Sequence, residues 1–301
     1  MDKWFVIINP ASGNKFVKKR KTKVFNSLKK LNCSYEIAFT KYTKHEEELV
    51  DFAIKRGFRK FISVGGDGTL NHVVNGVLIQ KEIPISEIKI GVIPIGTGND
   101  WAKNNDIPNH IEKAIEILNS GKTSKLDIGK ITHNRNIFYF TILVGIGYDG
   151  FVVDKAIRLK KYGNSAYLLA SLFGIFNYKK SVLKFTFNGR SLEYKSLMSI
   201  IGIGKFCGNG MQFTHKSDAK DGLFDITLVK DFKLHSLLYN TKMMYNGKLT
   251  SHKDVETYKT NKIKIEVKKG QNPFIEADGE IIGKGDFEVE ILPLAITFIV
   301  G

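Results

Sequence analysis

Phe61-Ile-Ser-Val-Gly-Gly-Asp-Gly-Thr-Leu70 joins three signals within ten residues. Phe61 to Val64 is a short apolar run, Gly65, Gly66 and Gly68 follow, and Leu70, Val73, Val74 and Val77 then recur at i, i+3, i+4, i+7. The pattern predicts a strand, a glycine turn and a helix. Three glycines let backbone N–H groups point into one concavity without a Cβ in the way, and the helix N-terminus adds its dipole, so the turn suits phosphate. Asp67 sits among those amides, where a bare carboxylate would repel an anion. Mg²⁺ between Asp67 and a nucleotide would reconcile them. The plainer alternative is a tight turn in which Asp67 caps a helix.

Outward from this stretch, residues before about 125 alternate strand and helix. Trp4–Ile8 precedes the loop Asn9-Pro-Ala-Ser-Gly-Asn14 and a basic helix from Phe16 to about Lys30. A strand near Tyr35–Phe39 leads to a helix from Glu46 to Arg56, with Thr43 and Glu46 at capping-box spacing. Lys89–Ile93 is a further strand, feeding Pro94-Ile-Gly-Thr-Gly-Asn-Asp100 and a helix. A last helix carries Ile111, Ala114, Ile115 and Leu118, with Asn109 and Glu112 as cap candidates. Such βα repetition predicts a mostly parallel sheet whose ligand lies at the carboxyl ends of the strands. A parallel sheet would bring the loops Asn9–Asn14, Gly65–Thr69 and Gly96–Asp100 to one edge.

After Leu126 the pattern changes to antiparallel β. Strict alternation marks Leu183–Phe187, Ile263–Val267 and Phe287–Ile291, while Asn188-Gly189 and Asp278-Gly279 are hairpin turn signals. Ahead of them, about Phe151 to Tyr178 reads as helical. Lys155, Arg158, Lys160 and Lys161 there precede Tyr167, Leu168, Leu169, Leu172, Phe173 and Phe176, which suits either an interfacial segment or a helix packed on a sandwich.

The chain of 301 residues carries a formal net charge of +16, which points to an anionic partner without choosing among nucleic acid, an acidic membrane and phosphorylated small molecules. Basic residues follow no nucleic-acid-binding signature, so no nucleic-acid partner is expected. Cys33 and Cys207 lack the spacing of a zinc or disulfide motif, which suggests a reducing compartment. The start of the chain reads as a strand rather than a signal peptide. The apolar run Ala166–Phe176 is about half of the roughly 20 residues that span a bilayer. A cytoplasmic protein, peripheral to the membrane, is expected.

Several motifs fail on context. Gly145-Ile-Gly-Tyr-Asp-Gly150 matches GxGxxG but lies in the β-rich half, with no acid-ended strand about 20 positions on. Gly121-Lys-Thr123 has Glu116 where a Walker A motif needs its first glycine. No His pair has metal spacing, and no GxSxG is present.

Asn9-Pro-Ala-Ser-Gly13, Gly65-Gly-Asp-Gly-Thr69 and Gly96-Thr-Gly-Asn-Asp100 together resemble the diacylglycerol kinase catalytic family, which includes bacterial soluble lipid kinases and the sphingosine and ceramide kinases. The resemblance continues through Gly145–Gly150, Lys220-Asp-Gly-Leu-Phe-Asp225 and Asp278-Gly-Glu280. It implies an α/β nucleotide-binding domain over 1–125 and a β-rich, lipid-binding sandwich over 126–301, with the active site in a cleft between them. It further implies that ATP and Mg²⁺ phosphorylate a lipid hydroxyl, diacylglycerol first, giving phosphatidic acid for phospholipid biosynthesis. A homodimer is compatible with this.

By the same resemblance Asn9, Pro10, Ala11, Ser12, Gly13, Thr40, Gly65, Gly66, Asp67, Gly68, Thr69 and Thr97 match ATP-binding positions. Asp218, Asp221 and the Leu223 carbonyl match a structural Mg²⁺ site, for which an ordinary turn at Asp221-Gly222 is the alternative. Glu280 matches a proposed general base, accompanied by Asp278, with Asp67 the third candidate catalytic acid. NAD kinase, which shares a GGDGT loop, is the nearest alternative enzyme, and a non-catalytic lipid- or nucleotide-binding protein is the other class. The GTGND, KDGLFD and DGE segments favour the lipid kinases.

Overall fold

Trp4–Ile8 is five consecutive buried residues and forms β1, the kind of run expected of a strand covered on both faces. The computed structural model describes residues 3–13, 18–159, 169–170, 173–174, 177–231 and 242–301. Two compact units emerge, Met1–Ile128 with Pro293–Gly301, and Gly129–Leu292.

In the first unit β1 is followed by α1 (Lys18–Leu28), β2 (Tyr35–Phe39), α2 (His45–Lys55), β3 (Lys60–Gly65), α3 (Asp67–Ile79), β4 (Lys89–Pro94), α4 (Asp100–Asn104) and α5 (Ile111–Ser120). The strands lie in the order β2-β1-β3-β4, all parallel. Phe61, Ile62 and Val64 of β3 are fully buried, each such side chain contributing about 1.5–3 kcal/mol by leaving water. Because β1, β3 and β4 run the same way, the loops that leave them share one edge.

The second unit begins within β5 (Thr123–His133) and continues with β6 (Asn136–Phe140), β7 (Leu143–Gly147), α6 (Tyr148–Arg158), β8 (Ser181–Phe187), β9 (Arg190–Ser196), β10 (Met198–Gly202), β11 (Phe224–Val229), β12 (Val255–Thr260), β13 (Lys262–Val267), β14 (Phe274–Ala277), β15 (Glu280–Lys284) and β16 (Phe287–Ile299). One antiparallel sheet runs β12-β11-β10-β7-β14-β15. In the other, β13 pairs antiparallel with β8 and with the Phe287–Glu290 part of β16. Phe185, Ile263, Ile265 and Val289 from this sheet and Val144, Ile146, Ile201, Phe224 and Ile275 from the first form one buried cluster. The antiparallel sandwich expected from the alternation is present. Both hairpin signals hold, with Asn188 and Gly189 at φ 49° and 69°, and Asp278 and Gly279 at 45° and 84°.

Three details differ from the sequence reading. Pro293–Gly301 returns to the first unit, where Thr297 and Phe298 pair parallel with Lys89 and Ile90 and the Phe298 ring lies 4.7 Å from that of Trp101. The segment expected over 126–301 thus contains a last stretch that clusters with the first unit. Thr43 does not cap α2: the capping position is Lys44, left-handed at φ 67° and without a side-chain cap bond, and the Glu46 carboxylate turns instead toward Asn9. Neither Asn109 nor Glu112 caps α5, whose cap position is His110. Most of the run Ala166–Phe176 lies outside the described residues.

Candidate active site

At the shared edge, Asn9 Nδ2 donates to Thr69 Oγ1 at 3.0 Å and to Glu46 Oε1 at 3.4 Å, while its own Oδ1 accepts from Ala11 N at 2.9 Å. Ser12 Oγ lies 3.4 Å from Thr69 Oγ1. Asn9 N donates to Val64 O and Thr40 N to Ile8 O, so the loops after β1 and β2 are tied to the sheet by backbone bonds as well. Gly13 is left-handed at φ 69°. The reason for glycine at 65 is direct, since a Cβ there would sit 2.3 Å from Thr69 Oγ1. Gly68, by contrast, opens onto free space.

The third loop is knitted to the second just as closely. Ile95 N and Gly96 N both donate to Gly65 O, and a Cβ on Gly96 would lie 2.5 Å from Gly66 Cα. Asn99, left-handed at φ 54°, accepts from Gly96 N and donates to Gly96 O and to Asn109 Oδ1. Asn109 thus serves this loop instead of capping α5. Thr97 is exposed at the loop tip.

Asp67 joins these loops. Its Oδ1 accepts from Trp101 N at 2.9 Å and its Oδ2 from Asp100 N at 3.1 Å, so the carboxylate caps α4 although it belongs to α3. Burial pushes its carboxyl above the ordinary range, against the pull of the N–H groups of Trp101 and Asp100. The sequence reading offered a cation or a cap. The structure supplies the cap, with the N–H groups of Asp67 itself and of Asn99 adding to those of Trp101 and Asp100 around the carboxylate.

In the second unit the Asp278–Gly279–Glu280 turn is fixed from both sides. Asp278 Oδ2 accepts from Thr141 N and Thr141 Oγ1 at 2.7 and 2.9 Å, and Oδ1 from Ile142 N and Leu143 N, each at 3.0 Å. Four donors fill a carboxylate's capacity. Glu280 opens β15 half-buried, opposite Ala277.

Asp218 and Asp221 are close, with Asp221 N directed at Asp218 O, and both carboxylates hold hydrogen-bond partners. Asp218 Oδ1 accepts from Lys220 N, and Asp221 Oδ1 from Leu223 N. Asp221 Oδ2 takes the Lys259 ammonium at 2.7 Å, and the same ammonium lies 3.2 Å from Asp225. Burial pulls Lys259 down, but its bonds to Asp221 and Asp225 outweigh it and hold the ammonium above its ordinary value. Among the described residues no three Asp, Glu, His or Cys side chains gather as a metal-binding group. As arranged, Asp221 is paired with the Lys259 ammonium, which a Mg²⁺ held by Asp218, Asp221 and the Leu223 carbonyl would have to displace. No local pattern marks Lys259, which arrives on the neighbouring strand as the cross-strand partner of Asp225.

Comparison with known proteins agrees with this architecture. Residues 3–131 match the family model described as the diacylglycerol kinase catalytic domain, and residues 142–300 the one described as the YegS C-terminal NAD kinase beta sandwich-like domain. The diacylglycerol kinase of Staphylococcus aureus strain JH9 is 26% identical over 280 residues, covering 93% of this chain and 86% of the relative. The crystal structure of a diacylglycerol kinase from Bacillus anthracis str. Sterne superposes with a TM-score of 0.75 at 21% identity, covering 100% of this chain and 97% of that one. Another structure from the same strain gives 0.80 at 24% identity, with 100% and 98% covered. At such identity the solved structures attest the fold, and the family models carry the rest. With glycine loops, acidic turn and sandwich all in the family's order, the chain belongs to the diacylglycerol kinase catalytic family and is a lipid kinase.

Proposed function

We propose that this lipid kinase transfers the γ-phosphoryl group of Mg²⁺-bound ATP to the hydroxyl of diacylglycerol, giving phosphatidic acid. The observation that carries the nucleotide half is the knot at the carboxyl edge of the parallel sheet. There Asn9, Thr69, Gly66, Gly96 and Asp67 hold three loops at fixed distances. Phosphoryl transfer asks mainly for positioning and for donors aimed at phosphate oxygens. Open space above Gly68 and the N-terminus of α3 suit a phosphate, with Ser12 and Thr69 hydroxyls at hand. Asp67 is assigned two tasks, capping α4 and supplying negative charge beside the Mg²⁺ that arrives with ATP.

Glu280 is assigned the proton of the attacking hydroxyl. Asp278 is a poor base because four donors already occupy its oxygens, whereas Glu280 has the longer side chain at the mouth of a rigid turn. Its removal leaves phosphate positioning intact, so the rate falls without loss of ATP binding. The net charge of +16 supports a reversible, electrostatic hold on anionic membrane, where the lipid resides. No helix among the described residues is long and apolar enough to cross a bilayer.

NAD is retained as the competing acceptor, because the description of the second family model names an NAD kinase sandwich. Labelled-ATP transfer to diacylglycerol, sphingoid base and NAD in parallel distinguishes the readings.

A further inference from the structure

The GIGYDG motif at Gly145–Gly150, which fails as a dinucleotide fingerprint, has a different use in the structure. Gly145 lies on β7, Gly147 is at the start of α6 with φ 111°, and Asp149 is in the first turn of α6. A Cβ on Gly145 would sit 2.2 Å from Asp149 Oδ2 and 3.0 Å from Glu276 Oε1, so only glycine leaves room for both carboxyl groups. A Cβ on Gly150 would meet Phe274 O at 2.6 Å, which lets α6 settle directly on β14. Glu276, on β14, is 2% exposed. Its carboxyl and that of Asp149 therefore crowd the same space beside Gly145, and its Oε2 accepts from Gly279 N at 3.0 Å.

Two buried carboxyl groups brought this close hold together only if one carries a proton, because two carboxylates repel and offer no donor. The groups around Glu276 explain where that proton stays. Asp149 faces it from α6 and Asp278 from its own turn, both acidic, while its cross-strand partners are Gly145 on β7 and Ile281 on β15. We propose that Glu276 and Asp149 share one proton and act as positioning residues for the kinase reaction, Glu276 anchoring the Gly279 amide and so fixing the turn that presents Glu280. In the balanced form Glu276 donates its O–H to the Asp149 carboxylate and accepts the Gly279 N–H. Loss of the proton would leave two facing carboxylates beside Asp278. This proposal rests on the lipid-kinase reading in which Glu280 meets the hydroxyl.

Burial raises Glu276 well above the ordinary glutamic range, with the Asp149 charge adding to it, and burial raises Asp149 as well. The folded chain therefore keeps a proton that the unfolded chain releases near pH 4. The stabilisation is complete below that value and is lost as pH rises through the raised folded value.

The test uses the full chain with Glu276→Gln and Glu276→Ala. Glutamine donates an N–H to Asp149 and accepts from Gly279, keeping both bonds without a titrating proton. Infrared spectroscopy at neutral pH is expected to show a carboxylic-acid carbonyl band that is missing in Glu276→Gln, and the melting temperature of that variant is expected to fall less on alkalinisation. In lipid phosphorylation, Glu276→Ala is expected to lose about tenfold or more in kcat with ATP KM unchanged, and Glu276→Gln to recover most of it. Absence of the band, or Glu276→Ala with wild-type kcat, overturns the proposal. The band and the pH dependence of melting are read without any lipid, so they decide the shared proton even if the acceptor proves to be something else.

Discussion

Replacing Asp67 separates its two assigned tasks. Asp67→Asn keeps one oxygen to accept from Trp101 N, but its amide NH₂ faces the Asp100 N–H, so one of two charge-assisted bonds is lost. Such a bond contributes about 1.5–3 kcal/mol, and part of that is returned because a neutral amide escapes the burial penalty that raises the Asp67 carboxyl. The net loss is then about 1–2 kcal/mol, or roughly 3–8 °C in melting temperature for a unit of this size. Asp67→Ala strands both N–H groups and should lose more, about 2–4 kcal/mol. Activity should not follow this grading. If Asp67 also engages Mg²⁺, both variants lose about 10²-fold or more in kcat/KM at ordinary Mg²⁺, because neither offers a charge. Calorimetry paired with steady-state kinetics reads both quantities on the same samples. An Asp67→Asn protein with reduced melting temperature and near-normal turnover would refute the cation role and leave Asp67 as a helix cap.

Three other perturbations bear on the acidic turn, the lysine-filled loop and the membrane. Glu280→Gln should lower kcat by about 10²–10⁴-fold with ATP affinity retained, while Asp278→Asn should mainly destabilise, since it places an NH₂ against donors from Thr141, Ile142 and Leu143; a mild Glu280 effect beside a severe kinetic Asp278 effect would reverse the assignments. Without nucleotide, Mg²⁺ or EDTA should leave the melting temperature unchanged, whereas Lys259→Met should lower it and Mg²⁺ should then restore it; stabilisation of the unmutated protein by Mg²⁺ alone would show that a metal displaces Lys259 from Asp221. Sedimentation with vesicles should show binding that requires anionic lipid and declines with salt, and equal binding to neutral vesicles would contradict a charge-driven hold.

What could be read in advance follows the range of the interactions. The strand, turn and helix at Phe61–Leu70 and the hairpins at Asn188-Gly189 and Asp278-Gly279 are set by neighbours a few positions apart, so periodicity and turn chemistry suffice for them. The failed cap at Thr43 has a remote cause. Glu46 is drawn to Asn9 on another loop, and that partner has no local signature. Asp67 as the cap of α4, Lys259 against Asp221 and Asp225, and the Glu276–Asp149 pair likewise join residues far apart in the chain. The return of Pro293–Gly301 beside β4 hides in one continuous strand pattern, because β16 does not break where it passes from one unit to the other. The site's loops were legible as motifs, but the bonds that lock them together were not.

Phosphorylation of a lipid hydroxyl by this chain is open to direct measurement. Incubation of the purified protein with labelled ATP, Mg²⁺ and mixed anionic vesicles containing diacylglycerol measures it directly, with sphingoid base and NAD supplied in separate reactions. The expected result is label in phosphatidic acid, dependent on diacylglycerol and lowered about 10²-fold or more by Asp67→Asn. Label in NADP with none in lipid, or ATP turnover indifferent to every acceptor, would contradict it.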